Sequence, residues 1–167
     1  MNQEIKIIAF EKAHQHDVDI MMENIALEFK EPIFSVGSQK IIDVHELPGN
    51  QFWVAMHQDK VIGSIGVIRL TEGNLVLKSM FVDRGFRGQG ASSLLLNHVI
   101  SWGTGNNCKH IFLGTMSQFT AAQKFYEKNG FVQCGPADLP ADFVGNTFDT
   151  IFYRRRLNDP SINTIAE

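Results

Sequence analysis

Residues 75–96, LVLKSMFVDRGFRGQGASSLLL, constrain the fold more than any other stretch of the chain. An apolar run that reads as a buried strand gives way to a glycine-rich loop with two arginines, and a helix starts at once. A helix start leaves backbone N–H groups without intrahelical partners and carries a partial positive charge. Gly88 and Gly90 let that backbone approach a ligand closely, and Arg84 and Arg87 add full charges. Such a site suits an anion, above all the phosphates of a nucleotide-like cofactor. The formal net charge of −3 makes it a local feature on a mildly acidic background, and nothing points to nucleic acid or an anionic membrane as a partner.

The flanking chain reads as strands and helices in turn. Residues 5–10 (IKIIAF) suit a first strand. Asp17 or Asp19 can cap a helix with the apolar stripe Val18, Met21, Met22, Ile25 and Phe29, which Pro32 closes. Residues 31–51 are loop-like, with one short helical turn at 41–45. Two apolar runs, 51–58 and 61–71, are parted by Asp59-Lys60, and Glu72-Gly73-Asn74 turns into residues 75–82. Three strands joined by tight turns predict an antiparallel meander. Residues 91–102 carry Leu94, Leu95, Val99 and Trp102 on a helix that Gly103 and Gly105 stop. A strand at 109–115 completes a βαβ unit, so the strands on either side of this helix run parallel. Ser117 caps a helix to Lys128, and strands at 131–134 and 148–155 flank a proline-punctuated loop.

With 167 residues, 44% apolar and 20% charged, the expectation is one α/β domain over 1–157 and a polar tail at 158–167. Its sheet is mixed, antiparallel in the first half, with helices on both faces. Ligands of open α/β sheets lie beyond the carboxyl ends of the strands, which again selects the loop after Val82. Cys108 and Cys134 lack the spacing of a metal or redox site, and His14 and His16 have no nearby co-ligands, so no metal is expected. Without a leader-like segment or a long apolar run, a soluble cytoplasmic protein is expected.

The loop lacks the Lys-Ser/Thr of a P-loop, having Ala91-Ser92 there, and the third glycine of a dinucleotide fingerprint is missing. Its context is more specific. Arg87-Gly88-Gln89-Gly90-Ala91-Ser92, after a strand ending Met80-Phe81-Val82, resembles motif A of the GNAT family of N-acetyltransferases. Residues 122–131 (AQKFYEKNGF) resemble the family's later A-x-x-x-Y-E-K-x-G-F segment. The resemblance covers residues 51–134. It implies a mostly antiparallel mixed sheet with a V-shaped gap between two central parallel strands, where acetyl-CoA lies as co-substrate. By the same resemblance, the backbone of Met80, Phe81 and Val82 pairs with the pantetheine arm. The amides of Arg87, Gly88, Gln89, Gly90, Ala91 and Ser92 hold the pyrophosphate, and Tyr126 protonates the departing thiolate. Ser92 stands where the family usually has Gly or Ala.

Two departures bear on catalysis. Phe119 replaces an asparagine that often contacts pantetheine, leaving Gln118, Thr120 or backbone to substitute. Val76 replaces a frequent glutamate that acts as general base. Glu28, Glu31, Asp43, His45 and Glu72 are the candidate replacements. The implied reaction is direct attack of a neutral amine on the thioester in a ternary complex, with the oxyanion held by backbone N–H near Met80 or Phe81. The alternative is a non-catalytic acyl-CoA-binding or regulatory module of the same fold. The acceptor would be a small-molecule or peptide amine, towards which the acidic stretch 28–46 leans. Tyr153 lacks the motif context, His98 and His110 read as packing residues, and Arg154-Arg155-Arg156 reads as a solvated edge. A homodimer is expected to pair through that edge, the strand at 148–155.

Overall fold

A computed structural model describes residues 4–33 and 39–157. The polar tail at 158–167 and part of the expected loop, 34–38, lie outside the described residues. The 7-stranded sheet has the order β1-β2-β3-β4-β5-β7-β6. Its strands are β1 (Ile5–Ala9), β2 (Asn50–His57), β3 (Lys60–Arg69), β4 (Asn74–Val82), β5 (His110–Thr115), β6 (Val132–Cys134) and β7 (Ile151–Arg156). The expected meander is there, and β4 pairs with β5 in parallel while β7 runs antiparallel to both β5 and β6. The chain clusters into two compact units, Met1–Ile68 with Lys78–Ile100, and Arg69–Leu77 with Ser101–Glu167. Strand β4 contributes to both.

In the first unit β2 and β3 form a hairpin that turns at Gln58-Asp59, one residue earlier than expected, with Gln58 at φ 55°. Alternation along β2 splits its side chains between two faces. Phe52 and Val54 join Phe10, Val18, Ile41 and Val61 in one buried cluster, which brings in α1 (Gln15–Ala26) and α2 (Ile41–Val44). On the other face the Trp53 ring meets His98 at 5.2 Å, and the Leu95 methyl lies 3.1 Å from where a Cβ on Gly63 would sit. Both residues belong to α3 (Ala91–Gly105), so this unit carries helices on both faces. Asp17 and Asp19 do not cap α1. Glu11 N–H donates to His14 Nδ1 at 2.9 Å, and the resulting 3₁₀ turn, Lys12–His14, runs directly into the helix. Asp19 instead accepts from Gln15 Nε2 and from Lys40 Nζ. The helix also ends before Phe29, because the N–H groups of Glu28 and Phe29 bond three residues back in a tighter turn.

In the second unit the parallel register runs from Asn74 opposite His110 to Val76 opposite Phe112. Helix α3 passes through Gly103 instead of stopping there. A Cβ at Gly103 would lie 3.0 Å from Leu157 Cδ1 and 3.1 Å from Leu75 Cδ1, so this glycine serves close packing. The next helix, α4 (Thr120–Lys128), starts after Phe119; Ser117 is not its cap, and its carbonyl accepts from the Gln123 amide at 3.2 Å. Strand β7 is not an edge. Strand β6 covers its second side, Arg155 between two exposed arginines is buried, and the outer strands of the sheet are β1 and β6. The pairing surface expected at 148–155 is thus occupied within the chain.

Candidate active site

The glycine-rich loop divides into a part that satisfies itself and a part that does not. Asp83 organises the first part. Its carboxylate accepts the Gly85 N–H at 2.9 Å and its carbonyl the Phe86 N–H at 2.9 Å, and Arg87 N–H reaches Arg84 O at 3.4 Å. Gly88 and Gly90 then take φ of +77° and +89°, conformations that carry little cost only for glycine. A Cβ at either position would meet nothing within 4 Å, so conformation and not space requires glycine here. The first helical bond of α3 is Leu94 N–H to Gly90 O at 3.0 Å. The N–H groups of Gly88, Gln89, Gly90, Ala91, Ser92 and Ser93 have no acceptor among the described residues. Gly88, Gln89 and Gly90 are exposed, Ser92 is half-buried and Ala91 is buried. Consecutive donors at the positive end of a long helix form an anion cradle.

The two arginines differ from expectation. Arg87 turns back, donating from Nε to Val82 O at 3.1 Å and gripping Glu28 through both Nη atoms, the longer contact being 2.9 Å. Its charge is therefore already matched, and Glu28 is an ion-pair partner and not an idle base. The Arg84 side chain has no hydrogen-bond or ion-pair partner among the described residues. Upstream in β4, Ser79 adopts φ 54° inside a strand, a conformation that costs of order 1–3 kcal/mol. Buried Ser64 donates its hydroxyl to Ser79 O at 2.6 Å and fixes it there. Met80 and Phe81 follow half-buried, and Val82 is buried. No motif marks Ser64 or Ser79.

In the second unit Tyr126 is 7% exposed, with its ring tilted or edge-on to those of Phe125, Phe131 and Tyr153. Burial, and then the nearby Asp149 carboxylate, push its phenol well above the ordinary tyrosine range, so the hydroxyl keeps its proton. Tyr153 is engaged differently. Its hydroxyl donates to Glu127 Oε2 at 2.6 Å, and burial together with that bond raises it to about 12. Phe119 sits at the start of α4, where the Gln123 amide reaches Met116 O at 3.0 Å. Val76 is buried at 1% exposure, with no carboxylate in its place.

Of the other expected bases, Asp43 accepts the Lys40 N–H at 3.0 Å, the His45 ring stands edge-on to Phe10 at 4.9 Å, and exposed Glu72 occupies a turn at φ 61°. Asp149, outside every motif, belongs to the same unit as Tyr126: its carboxylate occupies the space over Gly114 at the end of β5 and adds to the upward shift of the Tyr126 phenol. Among the described residues no group of three or more His, Cys, Asp or Glu could hold a metal, and no helix is long and apolar enough to cross a membrane.

A profile of the acetyltransferase (GNAT) family matches residues 19–131. N-acetylaspartate synthetase of Xenopus tropicalis is 38% identical over 112 residues, covering 65% of this chain and 41% of that protein. The human N-acetylaspartate synthetase is 37% identical over 92 residues, 54% of this chain and 30% of its own length. The chain thus matches less than half the length of these curated relatives. The solved structure of a GNAT-family acetyltransferase from Staphylococcus aureus Mu50 superposes with a TM-score of 0.86 at 32% identity, over 92% of this chain and 99% of that one.

Proposed function

The chain belongs to the acetyltransferase (GNAT) family, and we propose that it transfers an acetyl group from acetyl-CoA directly to a primary amine. The observation that carries this reading is the row of unengaged N–H groups from Gly88 to Ser93, held open by two left-handed glycines. Those donors replace hydration that a pyrophosphate loses on binding. Ala91 and Ser92 add theirs at the helix start, and Arg84 supplies an uncommitted charge.

Met80, Phe81 and Val82 offer strand backbone to the pantetheine arm, and the left-handed backbone at Ser79 sets their direction. Tyr126 serves the leaving sulfur. A CoA thiol, taken like a cysteine thiol near 8.5, is more acidic than a phenol raised above its usual range near 10. Complete proton transfer from Tyr126 is therefore uphill, and the phenol acts by donating a hydrogen bond as charge develops on sulfur. The acceptor class is a small-molecule or peptide amine. The names of the curated relatives add an amino-acid α-amine to the candidates.

Thiol release from acetyl-CoA in the presence of L-aspartate, spermidine, a peptide with a free N-terminal alanine and a blocked internal-lysine peptide tests the reading. Turnover with at least one amine is expected. CoA binding without turnover on any amine would instead support the non-catalytic module, which the buried Val76 favours.

A further inference from the structure

We infer that Asp149 receives the ammonium group of the acceptor: its carboxylate, laid over Gly114 at the carboxyl end of β5, is the anion this chain offers a cationic amine where Val76 provides none. The inference rests on the acetyl-transfer reading above and names a residue that no sequence motif selects.

The placement is built into the fold. A Cβ on Gly114 would lie 2.5 Å from Asp149 Oδ2 and 2.9 Å from its Cγ, so the carboxylate fills the volume of the missing side chain. Any larger residue at 114 would expel it. Two main-chain bonds fix the segment, Asp149 N–H to Asn146 O at 3.1 Å and Thr150 N–H to Thr115 O at 3.0 Å. Oδ2 also accepts the Asn146 N–H at 2.9 Å, and the residue as a whole is half-buried. The carboxyl end of a parallel strand is where open α/β sheets bind ligands, and β5 is the parallel partner of β4.

Chemistry sets the distance that matters. The carbon that the amine attacks is bonded to the sulfur that Tyr126 serves, and an attacking nitrogen stands about 3–3.5 Å from that carbon. Asp149 lies over Gly114, the neighbour in β5 of Leu113, and Leu113 pairs with the Tyr153 whose ring meets that of Tyr126 at 6.0 Å, so carboxylate and phenol belong to the same part of the sheet. Aliphatic amines are ammonium ions at neutral pH, while an ordinary carboxylate is far too weak a base to keep their proton. Asp149 accordingly binds R–NH₃⁺, which loses one proton to water to become the nucleophile. The C–N bond then forms and the C–S bond breaks. The second proton passes from nitrogen to sulfur, giving the amide, the free thiol and one proton in solution.

Asp149→Asn separates this role from loop closure, because the amide oxygen can still accept the Asn146 N–H. In the thiol-release assay, with whichever of the four amines the unaltered protein accepts, the variant should raise the amine KM about 10-fold or more, a loss of about 1.4 kcal/mol. The KM for acetyl-CoA and the melting temperature should not change. Asp149→Glu keeps the charge and alters the turn, so it should retain more amine affinity than the asparagine variant. An amine KM for Asp149→Asn within twofold of the unaltered protein would overturn the inference alone. Equal losses in the two variants, following shape and not charge, would do the same. Absence of turnover in the unaltered protein despite CoA binding would instead overturn acetyl transfer itself, and this assignment with it.

Discussion

In the first unit, residues 83–93 present their chemistry through main-chain N–H groups, and side chains such as Asp83 and Arg87 only shape or brace the loop. In the second unit the candidate chemistry is carried by side chains, a buried phenol at Tyr126 and a carboxylate at Asp149, while the buried Val76 contributes none. Backbone donors demand particular φ angles and tolerate varied side chains. Side-chain chemistry demands the opposite. The loop should therefore be brittle at its glycines and forgiving at Arg87, whereas around Tyr126 single atoms should matter.

The hardest blow to the contrast is Gly90→Val. A β-branched residue cannot hold φ +89° without strain, so the row of donors should disperse and CoA affinity fall about 100-fold or more by calorimetry. Undiminished affinity would mean the glycine conformation is not what binds. Next in size is Tyr126→Phe, which removes one oxygen. We expect kcat to drop roughly 10- to 100-fold while the KM for acetyl-CoA stays within twofold, as befits a donor used only as the sulfur leaves. A parallel change in both constants would assign Tyr126 to binding.

A smaller effect sharpens the loop half. Glu28→Gln releases the Arg87 guanidinium from a half-exposed ion pair of the kind worth about 0.2–1 kcal/mol. Arg87 then becomes available to the bound anion, and CoA should bind about 2- to 5-fold more tightly at low salt, with a steeper salt dependence. Weaker binding would show that the pair holds the loop in its competent shape. Smallest is a stability effect in the other half. Tyr153 keeps its proton in the folded state up to about 12, whereas the unfolded chain loses it near 10. The unfolded state thus binds fewer protons across that window, so this contribution is complete below pH 10 and lost as pH rises towards 12. Chemical denaturation between pH 9 and 12 should show the decline, and Tyr153→Phe should make it shallower, leaving the part that the likewise raised Tyr126 contributes.

The same contrast explains what could be read from sequence. The strand–loop–helix order and the need for glycine at 88 and 90 are local properties, and local periodicity and turn chemistry expose them. The A-x-x-x-Y-E-K-x-G-F segment gave Tyr126 through resemblance. Asp149 was hidden because it meets Gly114 only after β7 returns beside β5. The retreat of Arg87 onto Glu28 was hidden for a similar reason, since the partners lie 59 residues apart. Ser79 carries no glycine to advertise its left-handed backbone; a buried hydroxyl on β3 holds it instead. Strand β7 looked like an edge because its arginine run is polar, yet β6, which is only three residues long, covers it. Helix ends shifted where a 3₁₀ turn or a packing glycine outweighed a nearby cap signal.

The claim that most needs a direct measurement is that the loop's amides hold a pyrophosphate. Calorimetric titration of the unaltered protein with CoA and, separately, with pantetheine measures what the phosphate and adenosine end of CoA adds to the shared arm and thiol, and Gly90→Val then reads how much of that gain belongs to the loop's amides. CoA should bind at least about 100-fold more tightly than pantetheine, a difference of about 2.7 kcal/mol, and the gap should collapse in Gly90→Val. Equal affinity for the two ligands would contradict a phosphate-binding role for residues 88–93.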